Sequence, residues 1–241
     1  MAHPLACGYA VRAAVIIAAY RAERWIEQCL DAWDAVEVPE GWEVAIGIGV
    51  DGCKRTARTL DDIGMHYWWS PNNVGPYLIR NSLIARIKAD AYVIFDADDM
   101  PHADYLTELL PMTADGSIAG AARRTIDETG QETSAHFPYA NGVCVIPSDA
   151  WDKLGGYRSW RIAADHDLIQ RAKAMGIRIR KHNHALYTRR VHPGSLTRDP
   201  ETGLRSKARR SRKNETRRLI AQARRKPEAL RITPETVEMR P

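Results

Sequence analysis

The sequence predicts an α/β fold in which a mostly parallel central sheet is covered by helices on both faces. Two observations support this prediction. Apolar runs of strand length alternate with segments of helical period from residue 13 to residue 95. These apolar runs are nearly continuous, which is typical of parallel strands that are buried on both sides. Because ligands bind such sheets beyond the carboxyl ends of the strands, polar residues at those ends are candidate site residues.

The first half of the chain has the clearest periodicity. Residues 13–19 predict a strand, and apolar residues at helical spacing from Ala22 to Trp33 predict the helix that follows. Pro76 stands at a favourable first helical position. The other predicted elements are strands at 42–50, 65–69 and 91–95 and helices at 54–63 and 76–88.

The second half is less regular. Short β-like runs occur at 117–126 and 141–147, a helix is predicted at about 164–175, and residues 177–190 have a strand-like pattern. No internal repeat is present. A chain of 241 residues that is 44% hydrophobic is long enough for one large domain with an appendage.

The positive charge is concentrated near the carboxyl end. Residues 205–226 carry eleven Lys or Arg and one acid, a local charge of +10, so the formal charge of +5 leaves −5 for the rest of the chain. We therefore predict a globular domain over residues 1–204 and a basic, partly helical extension over 205–241.

The cysteines and the apolar runs bear on cellular location. Cys7, Cys29, Cys53 and Cys144 form no CxxC pair, so we expect reduced, mostly buried thiols and no zinc site. The apolar run at residues 13–20 is far shorter than the roughly 20 residues that span a bilayer. These features lead to the expectation of a cytoplasmic protein without a transmembrane segment. Peripheral attachment through the basic extension, at a membrane or on nucleic acid, is the alternative.

Three carboxylates follow directly on the fourth predicted strand, in the stretch "YVIFDADDMPHADYL". Asp96, Asp98 and Asp99 repel one another unless a cation shares them. Asp51 follows the second predicted strand and would lie on the same rim. The alternative is that Asp98 and Asp99 favour the start of a helix near Pro101.

Six stretches in order carry a resemblance to a known family. They are "AVIIAAYRAERWIEQCLDAW", "GVDGC", "NNVGPYLIRNSL", "FDADD", "ADHDLIQR" and "RRVHPGSLTR". Between about residues 13 and 198 the chain thereby resembles the family 2 glycosyltransferases, inverting enzymes of the A-type glycosyltransferase fold. Ala164 stands where that family carries Glu. The resemblance implies a catalytic domain over 1–204 that moves a sugar from a nucleotide sugar to an acceptor hydroxyl.

The resemblance also implies a metal site. A divalent cation can stabilise a diphosphate that leaves with its negative charge, and oxygen ligands suit Mg²⁺ or Mn²⁺. The expected ligands are Asp98 and Asp99, with Asp96 contacting the donor. His192, in the late His-x-x-Ser segment, is a further candidate ligand.

The donor base can be inferred from hydrogen-bonding patterns. Uracil offers one N–H between two carbonyls, which a carboxylate and a guanidinium satisfy, and Asp51 and Arg80 are such a pair. Tyr20 could stack on the base. The resemblance implies the same roles and therefore a UDP-sugar. The alternatives are a helix-surface charge for Arg80 and a rim aromatic for Tyr20.

Asp165 is the predicted general base, because inverting transfer needs a carboxylate to take the proton of the acceptor hydroxyl. The resemblance indicates the same residue. Asp165 could also, or instead, cap a helix over residues 166–175. Asp167 is expected to be structural.

The acceptor stays open at this point. The basic extension could bind a nucleic-acid backbone, bind an anionic membrane surface, or be solvated without a partner. The corresponding acceptors are a glycan, a lipid-linked sugar or a hydroxylated base in DNA.

Two other classes of protein compete with the transferase. A nucleotidyltransferase would be expected to open with a glycine-rich loop, which residues 13–25 lack. The second class is a non-catalytic protein that binds polyanions through the extension.

Overall fold

A computed structural model describes residues 11–137 and 142–241. The described residues form one sheet of nine strands in the order β3-β2-β1-β4-β8-β6-β9-β5, with β7 paired to β6. The strands are β1 (Val11–Ala19), β2 (Trp42–Asp51), β3 (Trp68–Ser70), β4 (Ala91–Asp96), β5 (Met100–Pro101), β6 (Ile118–Ile126), β7 (Glu132–Phe137), β8 (Cys144–Pro147) and β9 (Ile179–Arg190).

Helices pack on both faces of this sheet. They are α1 (Ile26–Asp34), α2 (Lys54–Asp62), α3 (Pro76–Ile84), α4 (Tyr105–Leu109), α5 (Ser148–Leu154), α6 (Ala164–Ala174) and α7 (Lys207–Gln222). Single 3₁₀ turns occur at Pro111–Thr113 and Pro227–Leu230.

The sheet is parallel in its first half and mixed in its second. Strands β3, β2, β1 and β4 are mutually parallel, as the sequence predicts. β8 then pairs antiparallel with β4, β6 pairs antiparallel with β8, and β9 is parallel to β6. The predicted α/β fold is therefore confirmed, and the parallel ends of β1, β2 and β4 meet on one rim.

Strand β1 shows why its apolar run is continuous. Val15 and Ile17 face the core on the side of α1, α2 and α4, whereas Ala14 and Ile16 face the core on the side of α3, α5 and α6. All four residues are fully buried. A strand covered on both faces has no polar positions to alternate with.

The alternative prediction of a helix that begins near Pro101 is wrong. Met100 and Pro101 form the short strand β5, which pairs with β9, and α4 begins only at Tyr105. The residue before α4 is Asp104. Asp98 and Asp99 therefore do not cap a helix.

The basic extension contains the predicted helix, α7. The chain after this helix packs against α5 and β3. Ile232 N–H donates to the Leu154 carbonyl, and Arg240 forms a two-way backbone bridge with Trp69 of β3 at 2.6 and 2.9 Å. Leu230 and Met239 are buried. The segment after residue 204 thus packs against the body, and the boundary at that residue stays a prediction.

The cysteines and the length of the apolar helices were also the subject of sequence expectations. Cys29, Cys53 and Cys144 are buried thiols, as predicted, whereas Cys7 lies outside the described residues. In the described ranges, we find no helix with the length and apolar character that crossing a membrane requires.

Candidate active site

A cleft of about 690 Å³ opens at the rim where β1, β2 and β4 end. Tyr20 lies after β1, Asp51 ends β2, and Asp98 lies in the turn after β4. His192, two residues after β9, closes one side, and Arg161 lies on another. The parallel half of the sheet thus brings residues that are far apart in sequence into one site.

Asp98 and His192 face each other in this cleft. His192 Nε2 lies 3.1 Å from Asp98 Oδ2. The backbone N–H of His192 donates to Ser195 Oγ at 3.1 Å, and the ring lies 5.8 Å from that of Trp25. The segment after β9 is therefore held so that an imidazole nitrogen and a carboxylate oxygen converge.

Asp99 is placed differently from the expectation. Its side chain is buried, and Oδ1 accepts the backbone N–H of Arg190 at 2.9 Å. Burial, together with the nearby charges of Asp98 and Asp96, raises the pKa of Asp99 well above its ordinary value. In this tight turn, adjacent side chains point to opposite sides, so Asp98 reaches the cleft while Asp99 points into the protein.

Arg80 and Asp96 form a pair beneath the rim. Arg80 Nη2 lies 2.5 Å from Asp96 Oδ1 and 3.3 Å from the Phe95 carbonyl oxygen. The Arg80 side chain is 3% exposed, so the alternative of a surface charge is wrong, whereas the Asp96 side chain is 43% exposed. The pair orients Asp96 at the end of β4, and neither Arg80 nor Asp96 is among the residues that line the cleft.

The Asp51 carboxylate is held by the loop that precedes α3. It accepts the N–H groups of Val74 at 2.6 Å and Gly75 at 2.9 Å, and the Asn73 amide at 3.2 Å. Gly52 has φ +69°, and a Cβ there would lie 2.6 Å from the Asn73 nitrogen. Burial raises the pKa of Asp51, and the backbone N–H groups oppose that shift. The turn and the loop fix this carboxylate at the cleft wall.

Tyr20 is the exposed aromatic of the rim, with 41% of its surface accessible. The guanidinium of Arg21 lies 5.2 Å from the centre of its ring. Arg21 has φ +52°, one of two non-glycine residues with positive φ in the described ranges. Such conformations are strained and often occur at functional sites.

Sequence reasoning missed several cationic and aromatic residues of the cleft. Arg24, Trp25 and Arg161 line it: the Arg24 guanidinium lies 4.6 Å from the centre of the Trp25 ring, and Arg161 Nη1 donates to the Asn73 carbonyl. Behind the wall, the buried Arg190 places its guanidinium 4.3 Å from the same ring. For Arg24 and Trp25 the available signal was the run "YRAERW" directly after the first strand, since residues that follow a strand end lie near the rim; Arg161 had no such signal.

Asp165 lies in the first turn of α6, four residues after Arg161 of the cleft wall, and does not itself line the cleft. Its Oδ1 accepts the hydroxyl of Tyr77 at 2.9 Å. Burial and the charge of Asp165 raise the pKa of Tyr77 well above its ordinary value, so the phenol stays a hydrogen-bond donor. The cap position of α6 is held by Ala163, with φ +61°, and the helix begins at Ala164. The alternative of Asp165 as the helix cap is therefore wrong.

Asp167 is structural, as expected. Its buried carboxylate accepts Arg171 Nε at 2.7 Å, Arg158 Nε at 3.3 Å and the Thr216 hydroxyl at 3.0 Å. The last of these contacts joins α6 to α7.

The donor set of the cleft can be tested against a divalent ion. Across residues 11–137 and 142–241, no three His, Cys, Asp or Glu side chains are placed to share one ion. Asp98 and His192 supply two converging donors. Mg²⁺ typically keeps several waters and is bound through one or two carboxylates plus substrate phosphates, so the Asp98 carboxylate fits Mg²⁺ or Mn²⁺, and the His192 imidazole beside it suits Mn²⁺ better than Mg²⁺.

A known protein family matches most of this chain. The profile of the family described as "Glycosyl transferase family 2" matches residues 14–193. Among curated proteins, no sequence match is found.

Solved structures with this fold include two glycosyltransferase complexes. S. aureus TarS with UDP-GlcNAc aligns with a TM-score of 0.64 at 14% identity, covering 77% of this chain and 60% of that one. A mannosyltransferase from Pyrobaculum calidifontis with GDP-Man and Mn²⁺ aligns with a TM-score of 0.63 at 14% identity, covering 92% and 73%. The chain thus spans about 60% of the TarS fragment. At 14% identity, the similarity to these two structures establishes the fold alone.

Proposed function

Because the chain belongs to glycosyl transferase family 2, we propose that its cleft binds a nucleotide sugar and that Asp165 assists transfer of the sugar to an acceptor hydroxyl. The observation that carries the proposal is the convergence of Tyr20, Asp51, Asp98 and His192 on one cleft. These residues come from four separate segments, and the sequence predicts a role in donor binding for each of them.

The nucleoside end of the donor lies between Tyr20 and Asp51 in this proposal. Asp51 Oδ1 accepts one backbone N–H, which leaves it capacity to accept the N–H of a uracil ring. Tyr20 is exposed and free to stack on the base. We propose UDP rather than GDP, with support from the TarS complexes with UDP and UDP-GlcNAc. Arg80 acts through Asp96, so its role is to position the carboxylate rather than to contact the base.

The diphosphate end lies near Asp98 and His192. These two side chains would hold Mn²⁺ or Mg²⁺, and the mannosyltransferase relative contains Mn²⁺. When bound, such an ion neutralises charge on the leaving diphosphate. Asp99 is left out of the proposed ligands because its side chain points into the protein. Arg21, Arg24 and Arg161 line the same cleft and add positive charge for the phosphates.

Asp165 acts as the general base on the acceptor side. The Tyr77 hydroxyl occupies Oδ1, which fixes the carboxylate and leaves Oδ2 to accept the proton of the acceptor hydroxyl. The site adjoins the cleft through both flanking segments, because Gly75 and Pro76 line the cleft just before Tyr77, and Arg161 lines it just before α6. A single carboxylate base implies one displacement and inversion at the anomeric carbon.

Two other functions are weaker. A nucleotidyltransferase or a non-catalytic polyanion-binding protein is not what membership of this family indicates. The cleft also keeps the polar groups that a degenerate scaffold would be free to lose.

The proposal is tested by incubating the full chain with UDP-sugars and GDP-sugars and measuring release of the nucleoside diphosphate by mass spectrometry. We expect release from a UDP-sugar with Mn²⁺ or Mg²⁺ and none with chelator. Asp98→Asn should lower the rate at least ~100-fold, because an ion at the leaving group contributes several kcal/mol. Glu201→Gln, which changes another carboxylate that lines the cleft, should have little effect.

Full turnover in chelator would refute the metal site. Faster release from GDP-sugars than from UDP-sugars would refute the choice of base. No release from any donor would contradict the proposed function itself.

A further inference from the structure

The surface beside Asp165 is strongly basic, and its cations come from the carboxyl-terminal extension. Helix α7 packs against α6 through Thr216, whose hydroxyl bonds to Asp167 of α6. Ser206 caps the start of α7 by accepting the backbone N–H of Arg209 at 3.1 Å. The helix is therefore fixed beside the turn that carries Asp165.

One side of α7 faces the protein and an adjoining side carries cations. Arg209, Thr216 and Ala223, spaced by seven residues, are buried. By the 3.6-residue period, Arg210 and Arg217 lie about 100° around the helix from that buried line, and Lys213 lies about 50° from it on the same side. We call these three residues the α7 basic face. Arg210 and Arg217 are exposed and Lys213 is half-buried.

The α7 basic face reaches the residue next to the proposed base. His166 is half-buried, and burial together with the charges of Lys213 and Arg217 lowers its pKa. Asp165 precedes His166 directly. Thr216, which precedes Arg217, bonds to Asp167, two residues after Asp165, so the α7 basic face lies beside the turn that holds the carboxylate.

We propose that the α7 basic face binds the phosphodiester backbone of a nucleic acid and thereby delivers a hydroxyl on that nucleic acid to Asp165 as the acceptor. This inference rests on the proposed function, which it deepens by naming the acceptor class. Neutralisation of backbone phosphates by Lys and Arg, with release of counterions, supplies the binding.

The composition of the surface favours nucleic acid over an anionic membrane. Eight of the eleven cations in residues 205–226 are Arg, the residue preferred for phosphate and nucleic-acid recognition. A membrane-binding helix presents a large apolar side, and Leu204 is the large hydrophobic residue exposed near this segment. Many of these cations are also distributed along α7, a helix of 16 residues that is about 24 Å long. This arrangement suits an extended polyanion.

The test uses the full chain and measures binding to a fluorescent 20-base-pair DNA duplex over a series of salt concentrations. We expect salt-dependent binding, weakened at least tenfold in the double variant Lys213→Glu/Arg217→Glu. The slope of log affinity against log salt should fall by about 2, one for each lost phosphate contact. The matched control Arg58→Glu/Lys88→Glu makes the same change in net charge at exposed residues elsewhere and should leave binding unchanged.

A second measurement asks whether DNA reaches the active site. A photo-crosslinking amino acid in place of His166 should label the duplex, and the same group in place of Lys88 should not. Equal loss of binding in both double variants, or labelling from position 88 alone, would overturn the proposal.

Vesicles of phosphatidylserine and phosphatidylcholine provide the competing surface. If the full chain binds these vesicles but not DNA, and the Lys213→Glu/Arg217→Glu variant releases them, the α7 basic face is a membrane surface and the proposal is wrong. Release of nucleoside diphosphate is measured on the full chain and on both double variants and should be equal in the three proteins. Absence of release from all of them would refute the proposed function, whereas failure of the full chain to bind DNA, with release intact, would refute only the acceptor class.

Discussion

At the scale of single residues, a chain of contacts links the donor side of the site to the proposed base. Asp96 pairs with Arg80, the Arg80 guanidinium lies 5.8 Å from the ring centre of Tyr77, and the Tyr77 hydroxyl bonds to Asp165. Arg80 and Tyr77 are both buried in α3. Helix α3 thus positions two carboxylates, that of Asp96 at the end of β4 and that of Asp165 in α6.

Tyr77→Phe tests this positioning. The variant removes one hydrogen bond to a carboxylate, a contact worth about 1.5–3 kcal/mol. We expect kcat for donor hydrolysis to fall roughly tenfold while KM for the donor is unchanged, because the phenol touches the base and not the nucleotide. Steady-state kinetics separate the two parameters.

The matched control is Tyr157→Phe. Tyr157 is also a buried phenol, and its hydroxyl has no hydrogen-bond partner among the described residues. Its loss should leave kcat unchanged. Equal effects of the two variants would mean that Tyr77 contributes to packing only.

At the scale of secondary structure elements, α6 and α7 meet at a buried carboxylate. Asp167 is fully buried and is compensated by Arg171, Arg158 and the hydroxyl of Thr216. A buried charge is costly unless each of its lone pairs has a partner. The α6–α7 contact therefore depends on a polar network as well as on apolar packing.

Thr216→Val is expected to lower the free energy of unfolding by about 1–3 kcal/mol, because it leaves a buried carboxylate one donor short. Urea denaturation measures the change. Ser211→Ala, at an exposed position of α7, should cost much less. A loss in Thr216→Val no larger than in this control would contradict the structural role of the contact.

The same elements show what sequence could and could not predict. The strands β1, β2 and β4 were found because burial on both faces makes their apolar runs continuous. The two-residue strand β5 and the five-residue helix α4 are too short to show a period. Packing of the extension was missed because its buried contacts, such as Arg209, Thr216 and Met239, are isolated residues in a polar sequence.

For the site, motif order identified Asp51, Asp98, Asp165 and His192 at or beside the cleft. The direction of Asp99 could not be predicted, because it depends on which side chain of a tight turn points outward. The burial of Arg80 could not be predicted either, since α3 has apolar residues around much of its circumference and gives no clear exposed side.

At the scale of the whole molecule, the carboxyl-terminal extension contributes to the body rather than hanging from it. The Val237 N–H donates to Ser82 Oγ at 2.8 Å, and the Asn81 amide donates to the Glu235 carbonyl at 3.1 Å. The bridge from Arg240 to Trp69 covers the edge strand β3. Exposed edge strands promote association between chains, so this cover also protects the sheet.

A chain cut after residue 204 is therefore expected to melt at a lower temperature than the full chain and to aggregate more readily. Removing only residues 237–241 should have a smaller effect, because it uncovers Met239 and the edge of β3 but leaves α7 in place. Thermal denaturation of the three proteins measures the order. If the chain cut after residue 204 melted like the full chain, residues 1–204 would be a self-sufficient domain and the extension dispensable for folding.

The central claim is sugar transfer by a single displacement with Asp165 as the base. Its most direct test is the configuration of the sugar that the full chain first releases when an α-linked UDP-sugar reacts with water, followed by proton NMR. The account predicts that the β anomer appears first and that Asp165→Asn slows its appearance about 10²–10⁴-fold while calorimetry shows donor binding unchanged. Initial release of the α anomer, or an unchanged rate in Asp165→Asn, would contradict the account.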